Sequence, residues 1–166
     1  RFIASQALML SLAGVPGIYV HSLFGSRTCH ACVKQTGRAR SINREKFDLN
    51  KLNNDLHDPS NLKHIIFTAF GKLLKVRRSQ PAFHPSAPQK VIESNRQVFC
   101  LLRQSPDGQQ TILCLVNVSP VKQLIHVPSN EISEFSSMQW IDLLSNNKTV
   151  VSSSVFSLAL EPYQVM

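Results

Sequence analysis

The chain has 166 residues, 43% hydrophobic and 17% charged, with a formal net charge of +8. That content builds a packed core and excludes a chain too polar and charged to collapse. Residues 1–80 carry 13 Lys and Arg against 4 Asp and Glu, and residues 81–166 carry 5 against 6, so the excess charge sits in the first half. Such a patch suggests an anionic partner (phosphate, an acidic sugar or nucleic acid), the competing reading being a solvated face.

Phe2 to Ala13 has a helical pattern, with Phe2, Ile3, Ala7, Met9, Leu10 and Leu12 making a nearly continuous apolar surface. Gly14 caps it and Pro16 blocks resumption. The apolar run from Phe2 to Phe24 is interrupted by Ser5, Gln6, Ser11 and the Gly14-Val15-Pro16-Gly17 turn, which argues against a membrane span or signal peptide. Ile18 to His21 reads as a short buried strand, with Tyr19 and His21 expected as packing residues. A basic loop follows, with Arg27, Lys34, Arg38, Arg40 and Arg44 and no acidic residue from Gly14 to Arg44.

Within that loop Cys29 and Cys32 form a CxxC around His30. A zinc site needs a second pair at similar spacing, and Cys100 and Cys114 do not supply one, so no metal is expected. A thioredoxin-type motif also lacks its strand–CxxC–helix setting. Cys100 and Cys114 lie either side of a turn centred on Asp107; they either face each other across a hairpin or act as two small buried hydrophobes.

No periodicity is sustained from Leu23 to about Phe47, and long irregular stretches in compact domains are usually functional or disordered. Leu49 to Leu56 suggests a short helix. Asp58-Pro59 reads as the start of a longer one, running to about Arg78 and ended by Gln80-Pro81. Its expected buried face holds Leu62, Ile65, Ile66, Ala69, Phe70, Leu73 and Val76, with Lys63, Lys72 and Lys75 pointing away. His84 reads as a linker residue. From residue 82 the period changes to 2, predicting strands over 90–93, 97–103, 111–118, 122–127, 138–144, 149–152, 155–160 and from Tyr163 onward. Ser105-Pro106-Asp107-Gly108 is a hairpin turn. Trp140 reads as core rather than as a sugar platform. The fold class expected is therefore α/β followed by all-β, with a domain boundary near residue 80.

The stretches GVPGIY, HSLFGSR and TGRARSINREKF resemble the last barrel strand and rim loop of the α-amylase superfamily, glycoside hydrolase family thirteen. The TGRARSINR segment resembles more narrowly the sucrose phosphorylase and glucosylglycerate phosphorylase subfamily. LLKVRRSQPAFHP, VFCLLRQ, LCLVNVS, WIDLLS and LEPYQVM agree with that family downstream. The resemblance implies that residues 1–80 are the terminal helix–strand–helix segment of a (β/α)8 barrel, a TIM-type barrel, and residues 81–166 an antiparallel β-sandwich C-terminal domain. It implies a retaining α-glucoside phosphorylase acting on a small glucoside and phosphate in carbohydrate metabolism, in the cytoplasm and without a cofactor.

The nucleophile and the acid/base carboxylate of that family come from barrel strands that would precede Arg1, so the chain is read as a piece of a longer protein, needing the missing N-terminal part of the same barrel as its partner and inactive alone. No catalytic residue is assigned within it. Substrate binding is assigned to Arg40, the expected contact to a glucose hydroxyl, with Arg44 and Asn43 bracing the loop. The competing role for Arg40 is pairing with an upstream carboxylate. Thr28, Cys29, Cys32 and Lys34 depart from the subfamily's usual residues. Two other readings compete: a stand-alone β module binding carbohydrate or another protein, and a basic nucleic-acid binder. The second ranks last, because aromatic stacking residues are not interleaved with its basic ones.

Overall fold

The computed structural model describes residues 1–128, 131, 139–150 and 155–166. Two compact units emerge: one from Arg1–Pro16 with Leu73–Met166, the other from Gly17–Lys72.

The first unit is built on antiparallel sheets. Strands β1 (Gln89–Val91), β2 (Val98–Gln104) and β3 (Thr111–Asn117) form one sheet in that order. β4 (Gln123–Pro128) pairs with β7 (Val155–Leu160), and β5 (Gln139–Ile141) with β6 (Lys148–Val150). The final residues extend the first sheet: Val165 bridges Val116, and Leu115 and Met166 exchange both backbone hydrogen bonds. The apolar core draws Ile92, Val98, Cys100 and Leu115 from the first sheet side and Ile125, Val127, Phe156 and Leu160 from the β4–β7 pair. Trp140 packs against this core, as expected. The strand expected at 138–144 is met only over β5, because the chain turns after Ile141, with the Asn146 amide donating to Asp142 O. The one expected at 149–152 begins one residue earlier, at β6; Met138, Val151 and Ser152 lie outside the described residues.

The hairpin turn forms where its residues dictate. Gly108 adopts φ 71°, the Ser105 hydroxyl donates to the Asp107 carboxylate, and the Gln109 amide donates to the same oxygen. These donors hold the Asp107 carboxyl below its usual range. The register sets Cys100 opposite Leu115 and Leu101 opposite Cys114, so the two cysteines point to opposite faces of the sheet. The facing arrangement is thereby excluded, and the reading as small buried hydrophobes holds: both thiols are free and buried, and burial pushes each up to about 12.

The other face of β2 and β3 lies under helix α1 (Phe2–Ser11). Ala4, Ala7 and Leu10 are buried there, and Arg103 of β2 is fully buried beside them. The last carbonyls of a helix have no intrahelical partner. Here two guanidinium groups take them: Arg103 donates to Ser11 O at 2.9 Å, and Arg77 donates to Leu10 O, to Leu12 O at 3.1 Å and to Gly14 O at 2.7 Å. Arg103 also donates to His84 O at 2.9 Å and Ala87 O at 3.3 Å, so His84 is more than a linker residue. Both guanidinium groups lie over the Phe83 ring, at 5.8 and 5.9 Å. Asn117, fully buried, closes the far end of β3. Its amide donates to Val121, Leu160 and Glu161 carbonyls, and its oxygen accepts from the Ser119 amide and hydroxyl.

The second unit holds α2 (Val20–Leu23), α3 (His30–Thr36), a 3-10 turn over Ala39–Asn43, α4 (Leu49–His57) and the first part of α5 (Leu62–Ser79). Three expectations are corrected here. Ile18 to His21 is not a strand. A parallel strand needs hydrogen-bonded neighbours, and the described residues offer none; the backbone instead closes on itself through Ser22 N–H to Tyr19 O and Ser26 N–H to His21 O. The loop after Leu23 is not structureless, since α3 and the 3-10 turn lie in it. The long helix starts at Leu62 rather than Pro59. Asp58 spends its carboxylate on the Ser60 amide and hydroxyl, and Asn61 Oδ1 accepts from the Lys63 amide. Along α5, Ile66, Phe70 and Leu73 are buried while Leu62 and Ile65 are exposed. Lys63 turns toward Asp55, pairing at 2.6 Å, whereas Lys72 and Lys75 are exposed as expected.

Candidate functional site

The basic loop is built on a run of rings. Tyr19 stacks on His21 with centroids 4.9 Å apart; His21 meets Phe47 at 4.8 Å; Phe47 meets Phe24 edge-on at 5.4 Å; and Phe24 stacks on Phe67 at 5.6 Å. Each contact adds to the apolar area the rings bury. Two hydrogen bonds tie this spine to the loop's return limb: Tyr19 Oη–H donates to Asn43 O at 2.8 Å, and His21 Nε2 lies 2.8 Å from Glu45 O. A carbonyl only accepts, so Nε2 donates here, while Nδ1 is buried and without a hydrogen-bond partner among the described residues. Tyr19 and His21 stack on each other, but the expectation of core packing is not met for Tyr19, which is 49% exposed, while His21 is half-buried.

Gly25 seats the spine on α5. It has φ 57°, which side chains rarely adopt, and a Cβ there would overlap the end of the Ile66 side chain, so any other residue would be strained and would force Ile66 to shift. Beyond it, Cys29 accepts the Cys32 amide at its Sγ and starts α3; the two cysteines are joined as a disulfide, and Gly37 in the left-handed conformation ends the helix. The CxxC thus opens a helix after all, with no strand before it.

The assigned binding residues share one short turn. Arg40 lies inside the 3-10 segment Ala39–Asn43, Asn43 ends it, and Arg44 caps it through its amide to Ser41 O. All three are exposed. Asn43 braces the loop by its main-chain carbonyl, to Tyr19. The Arg27, Arg38, Arg40 and Arg44 side chains make no hydrogen bond or ion pair among the described residues. Their donors are available to hydroxyl or phosphate oxygens. Among the described residues, no group of three or more His, Cys, Asp or Glu could hold a metal ion. The ring spine and the Gly25 seat were not anticipated from sequence. Their signal was the scatter of aromatics at 19, 24, 47 and 67 through an otherwise polar stretch.

The β unit offers less chemistry. A hollow of about 500 Å³ there is lined by apolar side chains such as Val76, Ile112, Leu113, Trp140 and Leu158. Its charged lining residues are Asp142 and Arg77, the latter already engaged with backbone carbonyls. Among the described residues, no helix is long and apolar enough to cross a membrane.

Residues 90–166 match the family described as maltogenic amylase, C-terminal domain. The glucosylglycerate phosphorylase of Spirochaeta thermophila is 39% identical across the whole chain, which spans 29% of that enzyme. The glucosylglycerate phosphorylase of Escherichia coli is 33% identical, again across the whole chain and 27% of the enzyme. The chain therefore spans under a third of the length of these curated relatives. Among solved structures, AmyP in complex with maltose superposes with a TM-score of 0.78 over 99% of this chain and 33% of its own, at 16% identity, a likeness of fold alone.

Proposed function

Because the chain corresponds to the C-terminal part of a glycoside hydrolase family thirteen enzyme of the α-amylase superfamily, we propose that it serves a retaining α-glucoside phosphorylase. In this reading residues 1–80 complete a (β/α)8 barrel, with Ile18 to His21 becoming its last strand beside upstream neighbours, and residues 81–166 form a β-sandwich domain. The reaction moves a glucosyl unit between a small glucoside, of which glucosylglycerate is the first candidate, and inorganic phosphate in the cytoplasm. Retention requires a carboxylate nucleophile and a carboxylic acid about 5 Å apart. By the family's pattern both come from earlier barrel strands, so this chain contributes grip rather than bond-breaking groups.

Arg40 is the residue assigned to that grip. The observation that carries the reading is the identity to two glucosylglycerate phosphorylases across the whole chain, the basic loop included. Support from geometry is the exposed, unengaged guanidinium of Arg40 on a turn braced by Tyr19. In this reading Arg44 and Asn43 brace the turn, and the exposed Arg44 guanidinium adds charge that favours the phosphate or the glycerate carboxylate. The test is phosphate-dependent formation of glucose 1-phosphate from glucosylglycerate. The full enzyme should form it and the isolated piece 1–166 should not. Activity in the isolated piece, or hydrolysis without any need for phosphate, would overturn the assignment.

A further inference from the structure

The CxxC is left unused by the phosphorylase reading, and the structure gives it a definite place. Cys29 and Cys32 are bonded at the first turn of α3, with Cα atoms 5.3 Å apart. The Cys29 amide donates to Ile42 O at 2.7 Å, across the base of the lobe that carries Arg38 and Arg40. Thr36 Oγ1 reaches both Cys32 O and Ser41 Oγ at 2.7 Å, closing the lobe a second time. Yet α3 has seven residues and buries none of them. A helix so short is marginal in water and cannot hold its own turn, so the covalent tie carries much of the lobe's order. Both cysteines are half-buried, whereas Cys100 and Cys114 are buried in the β unit with strongly raised thiol values. The thiols open to chemistry are therefore the pair in the lobe. In sequence Arg27, Lys34 and Arg38 flank them, with no acidic residue from Gly14 to Arg44. That setting attracts an anionic disulfide and favours attack by a thiolate.

We propose that Cys29 and Cys32 are a reversible dithiol–disulfide site, oxidised by an anionic low-molecular-weight disulfide of the glutathione class, and that the closed form fastens the Arg40 lobe. One cysteine thiolate attacks a sulfur of the incoming disulfide, forms a mixed disulfide and expels one thiolate. The second cysteine thiolate then attacks the first cysteine's sulfur, forms the Cys29–Cys32 bond and expels the other. The pair loses two electrons and two protons; the small disulfide gains both and leaves as two thiols. The inference does not depend on what Arg40 binds.

The experiment equilibrates the full chain with glutathione buffers of graded oxidised-to-reduced ratio, quenches with an alkylating agent and digests with trypsin. Cleavage after Arg27 and Lys34 releases Thr28–Lys34, one peptide holding both cysteines. It should shift reversibly between an internal disulfide and a doubly alkylated form. In parallel, trypsin on the native protein should cut after Arg38 and Arg40 on the order of tenfold faster in the reduced form, the loss expected when a four-residue ring is opened. Cys32→Ser should instead accumulate a glutathione adduct on Cys29, which reads the chemistry without relying on cleavage. A peptide fully alkylated at every ratio, a disulfide that survives the most reducing buffer, or equal cleavage rates in the two forms would each overturn the proposal.

Discussion

Replacing Arg103 by Met tests the packing of α1 on the β unit. The side chain is fully buried and makes no ion pair among the described residues; its partners are the carbonyls of Ser11, His84 and Ala87. Burial lowers its affinity for the proton, the neighbouring Arg77 adds to that, and the charge is stabilised by carbonyl dipoles, including the negative end of α1. Hydrogen bonds to a charged group are worth about 1.5–3 kcal/mol each, and each carbonyl left unpaired costs about 1–3 kcal/mol. Two of the three bonds are short enough to count fully. Against their loss stands the desolvation cost of the cation, which Met does not incur. The net expectation is a destabilisation of about 3 kcal/mol, read as a fall of about 1–3 M in the urea midpoint of the transition followed by Trp140 fluorescence. Arg103→Lys, with one nitrogen in place of a fork, should recover only part of it. A Met variant within about 0.5 kcal/mol of the parent, or more stable than it, would refute the claim that this cation ties α1 to the sheet.

Other expectations follow from the same geometry. Gly25→Ala should destabilise the loop unit by about 2–4 kcal/mol, from the left-handed backbone and the overlap with Ile66 together; thermal melts of the single variant and of Gly25→Ala with Ile66→Ala should show partial rescue, and additive losses would remove the overlap from the explanation. Cys100 and Cys114 are raised from 9.0 to about 12, so the folded chain keeps protons that the unfolded chain releases. Stability from these thiols is complete below pH 9 and is lost as pH rises toward 12, by about 1.4 kcal/mol per thiol at pH 10. Urea titrations at pH 8 and pH 10 should show this fall, and Cys100→Ala with Cys114→Ala should flatten it; an unchanged slope would count against the assignment.

Local signals were legible. Gly14 after an apolar run ended α1 within a few residues, the Ser105–Gly108 turn formed as its residues require, and β7 lies at 155–160 as the period-2 pattern indicated. Non-local partners were not. The β-branched run at 18–21 states a propensity, but a strand exists only where another strand accepts it. The hairpin register differs by one residue from the symmetric guess, which is enough to send Cys100 and Cys114 to opposite faces. In the sequence Arg103 is one polar residue of the strand-like run at 97–103; what receives it when buried is the Ser11 carbonyl of α1, 92 positions away, with those of His84 and Ala87. At the candidate site, TGRARSINR carried the resemblance and located Arg40, Asn43 and Arg44, whereas the ring spine that supports them joins positions 19 to 67 and has no contiguous motif.

The central claim is tested most directly by steady-state phosphorolysis of glucosylglycerate in the full enzyme, comparing the parent with Arg40→Ala and with Arg96→Ala as a control in the β unit. One charge-assisted hydrogen bond to a sugar hydroxyl is worth about 1.5–3 kcal/mol, or roughly 10–100-fold in kcat/KM. The account predicts glucose 1-phosphate as the product, a loss of that size for Arg40→Ala and parent-like kinetics for Arg96→Ala. No glucose 1-phosphate from the parent, or an Arg40→Ala enzyme as efficient as the parent, would contradict it.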